Sequence, residues 1–304
     1  MSERKTAFEL DTADGYRIAA RHFEVAGHAP RAVAIIASAM GVQQEFYASF
    51  AAWLADQGIA AYTFDYRGMG ASRPPGRGLS LKGFRADILD WARLDCAAMV
   101  DAAAERYPGV PLLWIGHSVG AQILGMIPQR ERLHGMLSVA AGSGYWQHNA
   151  SPLRYYVLAM WYLIMPLGIR VAGYFPGARM RVVGDLPRGV AEQWRKWCLH
   201  AEYLGAEGAL LKEELSRVST PICALSMQDD EMMTLAGTRA LFALYPNAEL
   251  ELRRVRPSDY GVPAIGHFGF FRTKMRESVW PIATDWIDRT IGQSALPAAR
   301  LGSV

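Results

Sequence analysis

Cysteine is scarce in this chain: Cys96, Cys198 and Cys223 are the only three in 304 residues, odd in number and far apart. None belongs to a CxxC pair, which excludes a disulfide framework, a zinc ribbon and a thioredoxin-type redox site, and a reduced, cytoplasmic setting is expected. Lysine is nearly as scarce, 5 against 27 arginines, and the formal net charge is only +3. That is far from the clustered basic footprint of a protein that lives on nucleic-acid phosphates, so no nucleic-acid partner is expected. Long hydrophobic runs are missing too. The most apolar stretch, Tyr155 to Ile169, is interrupted by Pro166 and Gly168. It falls short of the roughly 18 to 20 residues that cross a bilayer, so it reads as a buried or lid helix and no transmembrane segment is expected. The charged start, MSERKTAFELD, has no apolar stretch behind it of the kind a signal peptide needs.

What is present is enough apolar material for a sizeable core, with 51% hydrophobic and 20% charged residues. Around Asp14-Gly15, the segments AFELDT and YRIAARHFEV alternate apolar and polar residues, the pattern of an antiparallel hairpin. Six short apolar runs follow, at 31–39, 59–66, 111–117, 135–142, 221–227 and 248–255, and they read as fully buried parallel strands. Helical patterns such as FYASFAAWLADQG and FRADILDWARLDCAAMVDAAAERY lie between them. Strands alternating with helices imply an α/β body, a mostly parallel sheet with helices on both faces.

The alternation breaks between 145 and 218, where helical signals continue without a convincing strand. We read residues 1–144 and 219–304 as one core and 145–218 as an inserted helical cap. Residues 145–203 hold eleven aromatics. Such a segment can wall an apolar pocket, and Trp161 is its candidate substrate contact. The final residues, SALPAARLGSV, read as a frayed tail.

Chemistry concentrates in three places. Gly116-His117-Ser118-Val119-Gly120 fits the G-x-S-x-G pattern, which alone is a weak signal. It follows the apolar run PLLWI and precedes the helical pattern AQILGMI, the strand-turn-helix setting that exposes a nucleophilic serine. The flanking glycines suit a tight turn, and His117 is expected to point into helix packing. A serine needs an imidazole to take its proton, and the imidazole needs an acid to fix its tautomer. His267, in a glycine-bearing loop between the last strand and the C-terminal helix, is the best placed histidine, with Phe268 beside it as a second candidate substrate contact. The acid is expected among Asp229, Asp230 and Glu231 at the end of the run PICALSM, its neighbours being solvated loop charges. The Val119 N–H, next after the serine, is one expected oxyanion donor.

The order Ser, acid, His, the segment Asp65-Tyr66-Arg67-Gly68-Met69-Gly70-Ala71-Ser72 and the Gly-His-Phe after the last strand together resemble the α/β-hydrolase superfamily, in its monoacylglycerol-lipase-like and serine-aminopeptidase-like branch. The resemblance covers nearly the whole chain. It implies a hydrolase with a Ser118, Asp230, His267 triad, Asp229 being the alternative acid, and places the second oxyanion donor on Met40. Here the chain departs from its relatives, with Ser38-Ala39-Met40-Gly41 where they carry His-Gly-x. The implied activity is hydrolysis of an ester-type bond, carboxylester or thioester, in a small and apolar acyl substrate, without metal or cofactor. An acyltransferase with the same triad and a non-catalytic receptor on the same scaffold are the alternatives. Arg170, Arg179, Arg181, Arg188 and Arg195 are further candidates, for holding a carboxylate or phosphate.

Overall fold

The computed structural model describes residues 5–76 and 78–294; the expected frayed tail lies almost wholly outside them. The eight strands are β1 (Lys5–Asp11), β2 (Arg17–Phe23), β3 (Ala32–Ala37), β4 (Ile59–Phe64), β5 (Leu112–His117), β6 (Leu133–Val139), β7 (Ile222–Met227) and β8 (Leu250–Val255). They form one sheet in the order β1-β2-β4-β3-β5-β6-β7-β8. The β1–β2 and β2–β4 pairs are antiparallel and all others are parallel. The anticipated hairpin is thus the antiparallel edge of a parallel sheet. Every residue of β3, β4, β5 and β7 is buried, because helices cover both faces, and the apolar side chains divide into one core on each face.

From β3 the chain moves to β4 on one side, then returns to place β5 on the other. The C-terminal ends of β3 and β5 therefore diverge at a topological switch point, where open α/β sheets leave a crevice. The Ser38–Gly41 turn follows β3 and Ser118 follows β5, so the fold delivers both to this crevice.

Two expectations need correction. The 248–255 run is not a fully buried strand: β8 is the sheet edge, with Leu250 and Glu251 exposed and Val255 alone buried. Its alternating charges suit an edge that must not pair further. The Tyr155–Ile169 stretch is also longer and less buried than it reads. A helix runs continuously over Leu153–Ala172, long and apolar enough by length and composition to cross a membrane, yet 28% of its most apolar window is buried. Pro166 does not break it, because a π turn at Met160–Ile164 comes just before and such a turn can absorb a proline's lost bond and ring clash. Val157, Trp161, Met165 and Ile169 face the body; Tyr155, Tyr162, Leu163, Leu167 and Val171 face outward.

Between β6 and β7 the chain forms helices joined by turns and loops, with no strand among the described residues but with two isolated bridges, Phe175 with Leu186 and Asn149 with Met233 beyond β7. The segment's aromatics pack inward in places: Trp161 meets Trp194 edge to face at 4.8 Å, and Trp197 meets Tyr203 at 5.9 Å.

Candidate active site

Ser118 sits between β5 and a short helix, Val119–Gln122, with φ 51° and ψ −115°. That conformation is costly for a residue with a Cβ, and strain of this kind is retained where surroundings over-determine it. Gly116 and Gly120 serve clearance rather than turning: neither has a positive φ. A Cβ on Gly116 would stand 2.5 Å from the Ala121 backbone, and one on Gly120 would stand 2.3 Å from the Ala37 carbonyl oxygen. The elbow is pressed onto β3, and glycine is what lets it fit.

His267 and Asp230 are both buried, and Nδ1 of the imidazole lies 3.0 Å from Asp230 Oδ2. The other carboxylate oxygen accepts the Met232 and Met233 backbone N–H groups, at 2.8 Å each. With the Nδ1 proton given to the carboxylate, Nε2 keeps its lone pair. Asp229 faces elsewhere: its Oδ2 accepts the Ile265 N–H at 2.8 Å. Glu231 accepts the His267 N–H at 2.9 Å. Glu231 is exposed, as a solvated loop charge should be, and Asp229 is half-buried, but both also bond the loop that carries His267. Gly266 at its centre has φ +64°, and a Cβ there would lie 2.8 Å from Glu231 Oε2.

His117 also departs from expectation. It is fully buried, but both ring nitrogens are bonded, Nδ1 to the Tyr47 hydroxyl at 2.8 Å and Nε2 to the His267 carbonyl oxygen at 3.0 Å. The His267 loop is thereby held against the residue preceding Ser118. No hydrogen bond joins Ser118 Oγ to His267 among the described residues; such contacts are commonly loose before substrate binds.

On the β3 side, the Val42 N–H closes a turn onto the Ala39 carbonyl at 3.1 Å, with Gly41 at φ +73° in the position that needs a left-handed residue. The backbone N–H groups of Met40 and Val119 have no hydrogen-bond partner among the described residues. Asp65, from the family-like segment, steadies this turn from behind by accepting the Gln44 N–H at 2.8 Å, the Gln44 side chain at 3.0 Å and the Ala71 N–H at 3.0 Å. Arg67 of that segment joins Asp95 and Asp14, each at 2.7 Å, which is scaffolding.

Gly41 meets the helical segment at close range, for a Cβ on Gly184 would stand 2.3 Å from the Gly41 carbonyl oxygen. Gly184→Ala should displace this turn and, where the turn supplies an oxyanion donor, lower kcat/KM about 10- to 100-fold in folded protein. Steady-state kinetics beside a thermal melt check this.

A cavity of about 240 Å³ lies next to these elements, walled by Leu153, Val157, Trp161, Trp194, Val183 and Met233 among others. Its wall touches the site at both ends: the Met233 N–H is bonded to Asp230, and Val183 precedes Gly184. Trp161 lines this cavity, whereas Ser118 and His267 do not. Phe268 is not part of this wall; its ring packs on His267 at 4.8 Å and on His117 at 5.6 Å. None of the five candidate arginines lines the cavity. Arg188 pairs with Glu192 at 2.8 Å, while Arg195 donates to the Trp161 carbonyl and lies over the Tyr162 ring. Gly184 and Tyr47 carry no site signal in the sequence, and Asp229 and Glu231, legible there as candidate acids, instead hold the His267 loop.

A family model described as serine aminopeptidase, S33, matches residues 28–170, which include Ser118 and end before Asp230 and His267. Among solved structures, a soluble variant of monoglyceride lipase from Saccharomyces cerevisiae is 18% identical with a TM-score of 0.66, covering 94% of this chain and 96% of its own. DcsB, solved with a substrate analogue, is 18% identical with a TM-score of 0.63, covering 95% and 99%. Est1E from Butyrivibrio proteoclasticus, solved with ferulic acid, is 14% identical with a TM-score of 0.60, covering 94% and 100%. At such identities the likeness is one of fold.

Proposed function

We propose that this chain, which has the α/β-hydrolase fold and matches a serine aminopeptidase family model over residues 28–170, is a serine hydrolase of that superfamily, cleaving an ester-type bond of a small, apolar acyl substrate. The observation that carries the reading is the convergence at one sheet edge of Ser118 in its strained elbow and a buried His267 bonded to Asp230 at 3.0 Å.

In this reading the Ser118 Oγ attacks the acyl carbonyl while its proton passes to His267 Nε2. Asp230 holds the ring by Nδ1 and stabilises the imidazolium that forms. The Met40 and Val119 N–H groups, without a partner among the described residues, receive the negative charge on the carbonyl oxygen. Collapse returns the proton to the leaving alkoxide or thiolate and leaves an acyl-Ser118 ester. Water, deprotonated by His267, then releases the acid and restores the serine.

Residues 145–218 act as the cap, and the cavity beneath takes the acyl group. At about 240 Å³ it is smaller than the roughly 300–1,000 Å³ of drug-sized ligand pockets, which favours a short acyl chain. The absence of an arginine from its wall favours an uncharged one. A cytoplasmic setting remains part of this reading.

Turnover of p-nitrophenyl esters of graded chain length, beside acyl thioesters and aminoacyl amides, tests the activity. Ester or thioester cleavage with a short-chain optimum is expected; amides alone, or no substrate at all, would overturn the reading. Trp161→Ala should move the optimum to longer acyl groups, each extra buried methylene contributing about 0.8 kcal/mol. Equal loss at all lengths, in folded protein, would make Trp161 a packing residue instead.

A further inference from the structure

The parts of the site ride on separate loops, and one chain of hydrogen bonds runs through three of them. The Ala39 N–H, in the turn after β3, donates to the Tyr47 hydroxyl oxygen at 2.9 Å. That hydroxyl lies 2.8 Å from His117 Nδ1, and His117 Nε2 lies 3.0 Å from the His267 carbonyl oxygen. Each direction is forced. A carbonyl only accepts, so Nε2 carries the ring proton and Nδ1 is the acceptor. The Tyr47 hydroxyl therefore gives its proton to Nδ1 and takes the Ala39 N–H on a lone pair.

Both side chains are fully buried. Phe271 packs on them at 4.8 and 5.1 Å, and Phe46 packs on Tyr47 at 5.1 Å. In such surroundings a broken link leaves an unpaired polar group without water to replace its partner, so the chain is intact or costly. Burial, then the neighbouring His267 ring, hold His117 protonation well below the usual range, so the donors and acceptors keep their roles. Packing alone would be served as well by a phenylalanine at 47 and an aliphatic residue at 117. His117 itself has no free nitrogen with which to act on a substrate.

We propose that Tyr47 and His117 are positioning residues, whose hydrogen-bond chain fixes the oxyanion turn and the His267 loop in register with Ser118. The proposal rests on the triad reading above. It assigns these two residues a role in the transition state rather than in substrate binding, because the turn's donors bond to charge that exists only there.

Tyr47→Phe removes one oxygen and keeps the ring. On a p-nitrophenyl ester it should lower kcat about 10- to 100-fold with KM nearly unchanged, and weaken a boronic acid inhibitor by the same factor while leaving affinity for the carboxylic acid product unchanged. His117→Gln retains an amide N–H able to reach the His267 carbonyl, so it should keep more activity than His117→Leu at equal melting temperature. A merely structural role would lower the folded fraction and leave kcat per folded molecule intact. Wild-type kcat in folded Tyr47→Phe, or equal loss of boronic acid and product affinity, overturns the proposal. Should the variants not fold, nitrogen NMR of the wild-type histidines decides. His117 must be the neutral Nε2–H tautomer at neutral pH, and an Nδ1–H tautomer or a charged ring there overturns the chain. Ser118→Ala run in parallel separates the two readings. If it keeps full activity the triad falls and this proposal with it; if it is inactive while Tyr47→Phe is unimpaired, this proposal alone falls.

Discussion

Ser118→Ala should lower kcat on the order of 10⁶-fold and leave KM within a few-fold of wild type. On the proposed mechanism the substitution deletes the attacking oxygen and nothing that binds the acyl group, so the loss belongs to the chemical step. Residual activity on the order of 10³ above the uncatalysed reaction should survive, because the Met40 and Val119 N–H groups and the cavity remain. The fold should tolerate the change, since Ala at φ 51° meets the same strain as Ser. Ser118→Gly should be equally inactive and more stable than Ser118→Ala by about 1 kcal/mol, because glycine adopts this conformation freely. Equal melting temperatures would mean that the elbow strain is not stored at this residue.

Asp230→Asn should cost on the order of 10⁴ in kcat, whereas Asp229→Asn should cost less than about 10-fold. At 230 the carboxylate accepts the Nδ1 proton. An amide there, its oxygen kept by the Met232 and Met233 N–H groups, turns its NH₂ toward the ring and forces the proton onto Nε2. The imidazole then has no lone pair for Ser118. At 229 the task is to accept the Ile265 N–H, which an amide oxygen also does. The two variants are nearly isosteric, so parallel kinetics and melts separate loss of tautomer control from loss of fold. A large defect at 229 with a small one at 230 would exchange the two roles.

Much of the fold is legible in the sequence because parallel strands covered on both faces must be largely apolar, as β3, β4, β5 and β7 are apart from Thr63, His117 and Ser226. The edge strand β8 escapes this rule: its outer edge faces water, so charges enter what reads as an apolar run. The helix Leu153–Ala172 is hard to read for a different reason. Proline is a breaker in an ordinary α-helix, and a π turn upstream that accommodates it leaves no signature in composition. At the site, the strand-turn-helix setting of Ser118 and the loop setting of His267 are local and can be read directly. The grip of Asp229 and Glu231 on the His267 loop, the Tyr47–His117 chain and the contact of Gly41 with Gly184 are not local. Each joins residues far apart in sequence, and each residue has a commonplace reading where it stands: a loop charge, a core aromatic, a turn glycine. Gly116 and Gly120 were legible in type, though close approach to neighbouring backbone, rather than positive φ, is what requires them.

The most direct measurement is to treat the folded protein with a fluorophosphonate and locate the adduct by peptide mass spectrometry. An activated serine beside a base, with oxyanion donors in place, is what such a reagent reports. The account predicts a single stoichiometric adduct on Ser118, lost in His267→Ala while that variant remains folded. An adduct on any other serine, or none on folded wild-type protein, would contradict it.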